Sequence, residues 1–307
     1  MADDPMANHP AFGGLPLIFG GNVFGWTTDR DRGFEILDAF HEAGGRMIDT
    51  AEVYGHDIKS EAVIGEWMES RGVRKDMLIA TKTGIPGIPG ALAPDKVRTA
   101  LQGSLERLRT DYVDLYYVHK DDETTPLDEV VDVYDEAVHS GKAREVGGSK
   151  YTVDRLKAIV ALAEERGKTP FTWFQPKYNL VARAEEYEGE LQDFCLAKGI
   201  AVAPFYSLAA GFLTGKFRSA GDWKGSTRDY ALEAAAADGG WRVLDTVRAV
   251  AADIGVPPAQ VAIAWVKAQP GIAAPLASAT SPAQLADLVA AVSLALSAEH
   301  LARLDAG

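Results

Sequence analysis

The sequence predicts an α/β fold of the (β/α)8 TIM barrel class, because short apolar runs alternate with amphipathic stretches along the whole chain. Eight of these runs have the length of strands, and 307 residues are sufficient for eight strand–helix units. The predicted strands are Leu15–Phe19, Arg46–Asp49, Met77–Thr81, Val113–His119, Ala143–Gly147, Thr172–Gln175, Ala201–Phe205 and Ile272–Leu276.

Helical periodicity occupies the stretches between these runs. Apolar side chains recur there at intervals that place them on one face of a helix. Three such faces are formed by Phe34, Leu37, Phe40 and His41, by Val97, Leu101, Leu105 and Leu108, and by Leu127, Val130, Val131, Tyr134 and Val138. Asp111 before the fourth strand and Gly141 before the fifth are typical of a turn and of a helix C-terminus.

An open doubly wound sheet is the alternative architecture, since it uses the same alternation. That fold usually has a GxGxxG turn after its first strand. Here the first strand is followed by Gly20, Gly21 and Asn22, and the glycine pattern does not continue. The sequence therefore favours the barrel.

We expect one domain over residues 1–307, with residues 1–12 as a flexible tail, because no Pro- or Ser-rich linker divides the chain. One segment differs from the rest. From Ser207 to Gly240, after the seventh strand, the periodicity is weak, which predicts a long loop. In a barrel this loop leaves the C-terminal rim, where active sites lie.

Composition excludes several classes of partner. Lys and Arg total 31 against 44 Asp and Glu, a formal net charge of −13, which argues against nucleic acid or an anionic membrane. Cys195 is the only cysteine, so an intrachain disulfide and a cysteine metal site are excluded. The polar N-terminus lacks a secretory leader and no apolar run is long enough to cross a bilayer, so we expect a cytoplasmic protein, monomeric or homo-oligomeric.

Titratable residues at the predicted strand ends are the candidates for chemistry. Asp49 ends the second strand, Lys82 follows the third, His119 ends the fourth, and Tyr54 lies in the loop after Asp49. Together they suit proton transfer coupled to hydride transfer, because a carbonyl that accepts hydride needs a proton donor. We expect Lys82 to lower the pKa of Tyr54 from about 10, Asp49 to keep Lys82 charged, and His119 to hydrogen-bond the carbonyl oxygen.

The motifs around these residues resemble the aldo-keto reductase family, in particular the branch that includes potassium-channel β-subunits. The motifs occur in family order at Ile48–Gly55, Ala80–Lys82, Asp114–His119, Gly148–Lys150, Gln175–Asn179 and Tyr206–Lys216. The resemblance extends from Gly20 to about Leu304. It implies a barrel enzyme that interconverts an aldehyde or ketone and the alcohol, with Tyr54 as general acid/base.

The resemblance also implies a site for NADP(H) or NAD(H) without a Rossmann domain. Ser149 and Gln175 match the pair that binds the nicotinamide carboxamide, and Tyr206 matches the aromatic residue that stacks on the ring. Ser207, Leu208, Gly215 and Lys216 match the pyrophosphate loop, and Ser278 and Gln284 the adenosine end. We expect Gly21, Asn22, Asp49 and Lys150 to contribute to the cofactor site as well.

Three positions depart from the family pattern. Lys150 stands where the family usually has Asn, and a lysine cannot accept a hydrogen bond from the carboxamide NH2. No basic residue lies between Leu276 and Gln284, where many NADPH-using members of the family have Arg or Lys. Leu288 stands where the family commonly has Asn. The sequence therefore predicts use of both nucleotides, with NADP(H) slightly preferred.

The substrate is expected to be a small carbonyl compound or alcohol that contacts Trp26, Tyr54 and His119. For Trp26, packing under the first loop fits the sequence equally well. Asp121 and Asp122 are expected to be capping and surface charges, and no metal site is predicted. Two alternatives remain open: a lyase that forms a Schiff base on Lys82, and a non-enzymatic, nucleotide-binding redox-sensing subunit.

Overall fold

The computed structural model describes residues 14–184 and 186–307, and within them eight strands form one parallel sheet. The strands are β1 (Ile18–Gly20), β2 (Met47–Asp49), β3 (Leu78–Thr83), β4 (Val113–Val118), β5 (Ala143–Ser149), β6 (Trp173–Gln175), β7 (Ala201–Val202) and β8 (Leu276–Ala277). The helices are α1 (Arg30–Glu42), α2 (Ser60–Arg71), α3 (Pro94–Leu108), α4 (Leu127–His139), α5 (Val153–Glu165), α6 (Glu190–Lys198), α7 (Asp229–Ala236), α8 (Gly240–Ile254), α9 (Pro258–Lys267), α10 (Pro282–Ser293) and α11 (Ala298–Asp305).

The sheet closes because each strand pairs with its neighbour along the chain and the last pairs with the first. Ile18 of β1 pairs in parallel with Leu276 of β8. Just before β8, Ile272 forms a parallel bridge with Val202 of β7, and the Ala273 amide donates to the Val202 carbonyl at 2.8 Å. These contacts join the two edges of the sheet, and the predicted (β/α)8 fold is confirmed.

The last two strands are shorter than the predicted Ala201–Phe205 and Ile272–Leu276. Pro204 and Pro275 lie within those ranges, and a proline has no N–H to donate to a strand ladder. The backbone keeps its course beside its neighbour, because the Leu276 amide donates to the Pro204 carbonyl at 3.2 Å. The predicted bounds are therefore wrong where proline interrupts the ladder.

Side chains along each strand alternate between two apolar clusters. In β4, Leu115 and Tyr117 belong to the cluster inside the barrel, whereas Tyr116 and Val118 belong to the cluster between strands and helices. Close approach inside the barrel also explains Gly147, where a Cβ would lie only 2.7 Å from the Tyr117 ring. The inner cluster consists of Ile18, Met47, Ala80, Leu115, Tyr117, Trp173, Ala201, Ala203, Ala273, Ala274 and Leu276.

The segment from Ser207 to Gly240 is more ordered than the predicted long loop. It contains 3-10 turns at Ala209–Thr214 and Ala220–Trp223 and, after them, helix α7. Aromatic packing holds it to α8, because the Phe212 ring lies 5.1 Å from that of Trp241 and the Trp223 and Trp241 rings stack at 5.7 Å. The predicted long connection after β7 is therefore present, and part of it is ordered as short helical turns and α7.

The remaining predictions concern the N-terminal tail, the single domain and the absence of a membrane-spanning segment. The predicted tail, residues 1–12, lies outside the described residues, and the single domain over residues 1–307 stays a prediction. Among the described residues no single helix is long and apolar enough to cross a membrane. Two sharply bent helix pairs, α8 with α9 and α10 with α11, reach that length and composition only in combination.

Candidate active site

The strand alternation explains why the predicted site residues meet in the mouth of the barrel. Successive side chains point to opposite faces of a sheet, so a residue two positions after an inward-facing one also faces inward. Four polar residues stand in this relation to members of the inner cluster, at or just after the carboxyl ends of their strands. The pairs are Met47 and Asp49, Ala80 and Lys82, Tyr117 and His119, and Trp173 and Gln175.

Asp49 and Lys82 form a buried ion pair at the centre of this group. The Lys82 ammonium donates to Asp49 Oδ1 at 2.5 Å and to the Thr50 carbonyl at 2.6 Å, and Lys82 is fully buried. Gln175 Nε2 donates to the other Asp49 oxygen at 2.9 Å. Burial by itself lowers the pKa of Lys82, but Asp49 and Tyr54 together outweigh burial, and the pKa is raised. Lys82 is therefore held in its charged form.

Tyr54 reaches the mouth from the loop after β2. A Cβ at Gly55, which has φ 88°, would lie 2.2 Å from the Ile58 carbonyl, so this turn requires glycine. The Ser60 amide donates to the Tyr54 carbonyl at 3.1 Å, and the Ser60 hydroxyl donates to the Gly21 carbonyl at 2.7 Å. These contacts fix the loop, and the Lys82 ammonium lies 5.0 Å from the centroid of the Tyr54 ring.

Burial raises the pKa of Tyr54, and the nearby Lys82 charge lowers it by a smaller amount. Lys82 thus acts in the expected direction. The expected net lowering of the Tyr54 pKa is wrong, however, because the pKa is raised overall. The physical reason is that the phenol is enclosed by protein, which disfavours the phenolate. At neutral pH Tyr54 is a protonated hydroxyl that has a proton to give.

His119 lies edge-on to Tyr54, with ring centroids 5.7 Å apart and ring planes at 90°. Burial, followed by the charges of Lys82 and Lys150, lowers the pKa of His119 from 6.5 to about 2. The imidazole is therefore neutral near pH 7. Its Nδ1 atom is buried and has no hydrogen-bond partner among the described residues. A neutral imidazole beside a protonated phenol can hydrogen-bond a carbonyl oxygen without competing for the proton.

The residues matched to the nicotinamide lie on β5, on β6 and in the loop after β7. The Ser149 hydroxyl donates to the Gln175 carbonyl at 2.8 Å, so its oxygen remains able to accept a hydrogen bond. Tyr206 is 44% exposed although it is a large aromatic residue, and its φ of 62° lies in the left-handed region. Asn179 Nδ2 donates to the Tyr206 carbonyl at 3.0 Å and holds this strained conformation.

The residues matched to the pyrophosphate loop are only partly available to a ligand. The Ser207 hydroxyl is buried and donates to the Leu276 carbonyl at 2.9 Å, so it ties the loop to β8. The Gly215 carbonyl accepts from Arg248 Nη2 at 3.2 Å, and Leu208 is half-buried. Lys216 is exposed as a whole, but nearby protein atoms partly desolvate its ammonium. This desolvation, followed by the charge of Arg228, lowers the pKa of Lys216. Arg228 is a candidate that the sequence did not indicate.

Each of the two residues matched to the adenosine end forms a hydrogen bond with another residue of the chain. Ser278 Oγ donates to Asn22 Oδ1 at 2.6 Å, which joins the loops after β8 and β1 next to Gly21. Gln284 Oε1 accepts from the Thr280 amide at 2.9 Å and from the Thr280 hydroxyl at 3.0 Å. The sequence order gave no signal for the first pair, because Ser278 and Asn22 lie at opposite ends of the chain.

Apolar side chains around the mouth are the second feature that the sequence did not single out. Ile58, Ile85 and Ile88 are about half exposed, and all three lie in loops that leave the C-terminal ends of strands. Trp26, in the loop after β1, is half-buried, and the Arg228 guanidinium lies 5.3 Å from the centroid of its ring. Asp121, which was expected to be a capping or surface charge, instead has a largely buried side chain that pairs with Arg155 at 2.7 Å.

Comparison with known proteins agrees with this geometry. Residues 16–307 match the Aldo/keto reductase family. An aryl-alcohol dehydrogenase (NADP+) of Phanerodontia chrysosporium is 36% identical over 198 residues, which cover 60% of this chain and 51% of that protein. The uncharacterized oxidoreductase YrpG of Bacillus subtilis (strain 168) is 31% identical over 302 residues, 94% of this chain and 90% of that protein. A probable voltage-gated potassium channel subunit beta of Oryza sativa subsp. japonica is 29% identical over 276 residues, 86% of this chain and 83% of that protein.

The chain thus spans about half of the first of these relatives and most of the other two. The family match over residues 16–307 confirms the predicted resemblance, and with it the expected oxidoreductase class and nicotinamide cofactor. The chain belongs to the aldo/keto reductase family, whose oxidoreductases use NADP(H) or NAD(H).

Proposed function

We propose that the protein reduces an aldehyde or ketone, with Tyr54 as the proton donor and Asp49, Lys82 and His119 as its supporting residues. The observation that carries this proposal is the convergence of these side chains at one rim of the barrel. A buried lysine held charged, a protonated phenol and a neutral imidazole meet there. This combination suits donation of a proton to an oxygen that becomes negative.

Each residue has a distinct part in this reaction. The nicotinamide nucleotide, when bound, supplies the hydride to the carbonyl carbon. His119 orients the carbonyl oxygen by a hydrogen bond, and Tyr54 gives its proton to that oxygen. Lys82 stabilises the phenolate that remains on Tyr54, and Asp49 keeps Lys82 charged through their 2.5 Å contact.

The residues present fit the nucleotide. Tyr206 offers an exposed ring of the kind on which a nicotinamide stacks, and the Ser149 oxygen can accept from a carboxamide NH2. Lys216 and Arg228 place two positive charges close to each other, which suits a pyrophosphate. Apolar Ile58, Ile85 and Ile88 around the mouth favour a substrate with an aromatic or aliphatic body, in keeping with the aryl-alcohol dehydrogenase relatives.

The geometry opposes a lyase that forms a Schiff base on Lys82. Such a lysine must offer a neutral amine with a free lone pair. Here Asp49 and the Thr50 carbonyl occupy the ammonium, and the pKa of Lys82 is raised. Failure of borohydride to trap a carbonyl substrate on Lys82 is the expected result.

The test of the proposed function is Tyr54→Phe, which removes the proton donor and little volume. We expect kcat with benzaldehyde to fall by roughly 10²–10⁴-fold while the dissociation constant of NADPH stays nearly unchanged. The matched control is Tyr230→Phe, which alters an exposed tyrosine of α7 and should leave both quantities unchanged. Near-normal turnover by Tyr54→Phe would overturn the assignment of Tyr54.

A further inference from the structure

Lys150 occupies a conformation in the mouth that its residue type does not favour. Its φ is 54°, in the left-handed region where Asn and Asp are enriched and where a lysine is uncommon. Strained residues of this kind persist where the surroundings hold them and are concentrated at functional sites. The strand register gives its location: Val118 of β4 pairs with Gly148 of β5, so Lys150 follows Ser149 on the strand next to His119.

The Lys150 side chain extends over the mouth. Its ammonium lies 5.3 Å from the centroid of the Phe205 ring, and that ring lies 5.3 Å from the ring of Tyr206. Its charge also acts on His119, where it is one of the causes of the lowered pKa. The ammonium is therefore near both the residue expected to orient the carbonyl and the residue expected to stack on the nicotinamide.

The charged and titratable groups that face Lys150 are mostly cationic or neutral. Lys82 on β3 and Lys120 after β4 carry positive charges, His119 is neutral, and Asp49 on β2 is the carboxylate that acts on it. Both oxygens of Asp49 already accept hydrogen bonds, from Lys82 and from Gln175. Within the described part of the chain, Lys150 has no carboxylate partner of its own, although the whole chain has a net charge of −13.

We infer that Lys150 binds an anionic group of the substrate, so that the enzyme prefers aldehydes or ketones that carry a carboxylate. This inference rests on the proposed function, since it names the substrate class of that same site. The apolar side chains of the rim would contact the body of such a substrate, and Lys150 would hold its carboxylate while the carbonyl lies between Tyr54 and His119.

The electrostatics of the mouth agree with this assignment. Crowding by protein atoms, followed by the charges of Lys82 and Lys120, lowers the pKa of Lys150 to about 8. Lys150 is therefore still mostly protonated at pH 7, and a bound carboxylate would favour the charged form further. As the pH rises through 8 the ammonium loses its proton, and with it the attraction for an anion.

The experiment compares each of the three formylbenzoates with the formylbenzamide of the same shape. The readout is the ratio of the two kcat/KM values, in which effects on Tyr54 and on the cofactor cancel. For at least one isomer we expect the parent enzyme to favour the carboxylate by about tenfold or more at pH 7, as a charge-assisted hydrogen bond can provide. Lys150→Met and Lys150→Asn should each lower this ratio about tenfold, and Lys150→Arg should keep it.

Two controls separate the local charge from other effects. Lys75→Met removes an exposed cation from the opposite end of the barrel and should leave the ratio unchanged. Raising the pH from 7 to 9 should lower the ratio in the parent but not in Lys150→Arg, because arginine keeps its charge. Lys150→Asn also guards against a folding defect, because asparagine accepts the left-handed conformation better than methionine does.

A second readout does not depend on turnover. The dissociation constants of benzoate and benzamide are measured by tryptophan fluorescence with NADP+ present, and benzoate should lose affinity in Lys150→Met while benzamide does not. If the amides are reduced but the ratio and the benzoate affinity are the same in parent and Lys150→Met, this inference is overturned and the proposed function stands. If nothing is reduced but benzoate binding depends on Lys150, the proposed function fails and the anion site stands.

Discussion

The two ends of the barrel handle buried charge in different ways. At the amino ends of the strands, Asp114 of β4 accepts from Arg74 Nη2 at 2.9 Å and from the Ile79 amide at 2.9 Å. The Arg144 guanidinium lies 3.4 Å from the other Asp114 oxygen. The guanidinium groups of Arg74 and Arg144 also lie 4.0 and 4.2 Å from the centroid of the Tyr112 ring. The carboxylate, both cations and the aromatic ring therefore all have partners there.

At the carboxyl ends the polar groups are only partly satisfied. His119 Nδ1 has no partner in the described chain, and Lys150 lacks a carboxylate. Backbone strain is also present there, because Lys150, Tyr206 and Ala210 all have φ between 54° and 62°. The comparison teaches that the lower end serves stability, whereas the rim keeps unpaired groups that a ligand can use.

The strongest test of this comparison removes one cation from each end. Lys82→Met should lower kcat by roughly 10²–10⁴-fold, because the charge that stabilises the Tyr54 phenolate is lost. It also leaves Asp49 buried without its partner, which costs about 3–5 kcal/mol of stability. The double variant Asp49→Asn with Lys82→Met should recover much of the stability and none of the activity.

Arg74→Met is the counterpart at the lower end. We expect it to lower the free energy of unfolding by about 1.5–3 kcal/mol, since Asp114 loses one charged hydrogen bond but keeps the Ile79 amide. Turnover per folded molecule should stay at the parent level. Urea unfolding and active-site-normalised kinetics measure the two quantities, and a large loss of kcat in Arg74→Met would contradict the division between the ends.

His119 makes the rim sensitive to acid. Its pKa is about 2 in the folded protein and about 6.5 when unfolded, so between these values the unfolded state binds more protons and stability falls as the pH is lowered. This residue contributes up to about 1.4 kcal/mol per pH unit below pH 6.5. His119→Gln should flatten the dependence of unfolding free energy on pH from 6.5 to 4.5, and His56→Gln, at an exposed histidine of the same rim, is the control.

Tyr206 tests whether the strained part of the rim binds the nucleotide. Tyr206→Ala should weaken NADPH binding by about 1–2 kcal/mol, from ring stacking and lost apolar contact. Tyr230→Ala, at a tyrosine that is 87% exposed, should leave the dissociation constant unchanged. An equal effect of the two substitutions would show that the ring of Tyr206 has no special part in binding.

The smallest expected effect concerns the choice of nucleotide. The hydroxyls of Ser278 and Thr280 donate to Asn22 and Gln284, so the loop after β8 offers a 2′-phosphate few free donors and no cation. We expect kcat/KM values for NADPH and NADH within about a hundredfold, or under roughly 3 kcal/mol. Thr280→Arg should shift the preference towards NADPH, and a parent strongly selective for NADPH would mean that another loop supplies the charge.

Local patterns in the sequence were sufficient for the barrel and for the inward direction of Asp49, Lys82 and His119. Strand identity depends on short apolar runs, and a period of two residues then decides which polar side chain faces the mouth. The same local information predicted β7 and β8 too long, because it did not weigh the missing N–H groups of Pro204 and Pro275.

Only the tertiary structure decided how these residues behave once they meet. The enclosure of Tyr54 reverses the expected net direction of its pKa, because burial depends on side chains from several loops. The segment after β7 becomes ordered where the rings of Phe212, Trp223 and Trp241 pack together, a contact between residues of three different elements. The sequence by itself determined the elements and their inward faces, since these follow from local periodicity. Burial, charge coupling and backbone strain at the rim depend on which distant residues become neighbours, and only the closed barrel decides that.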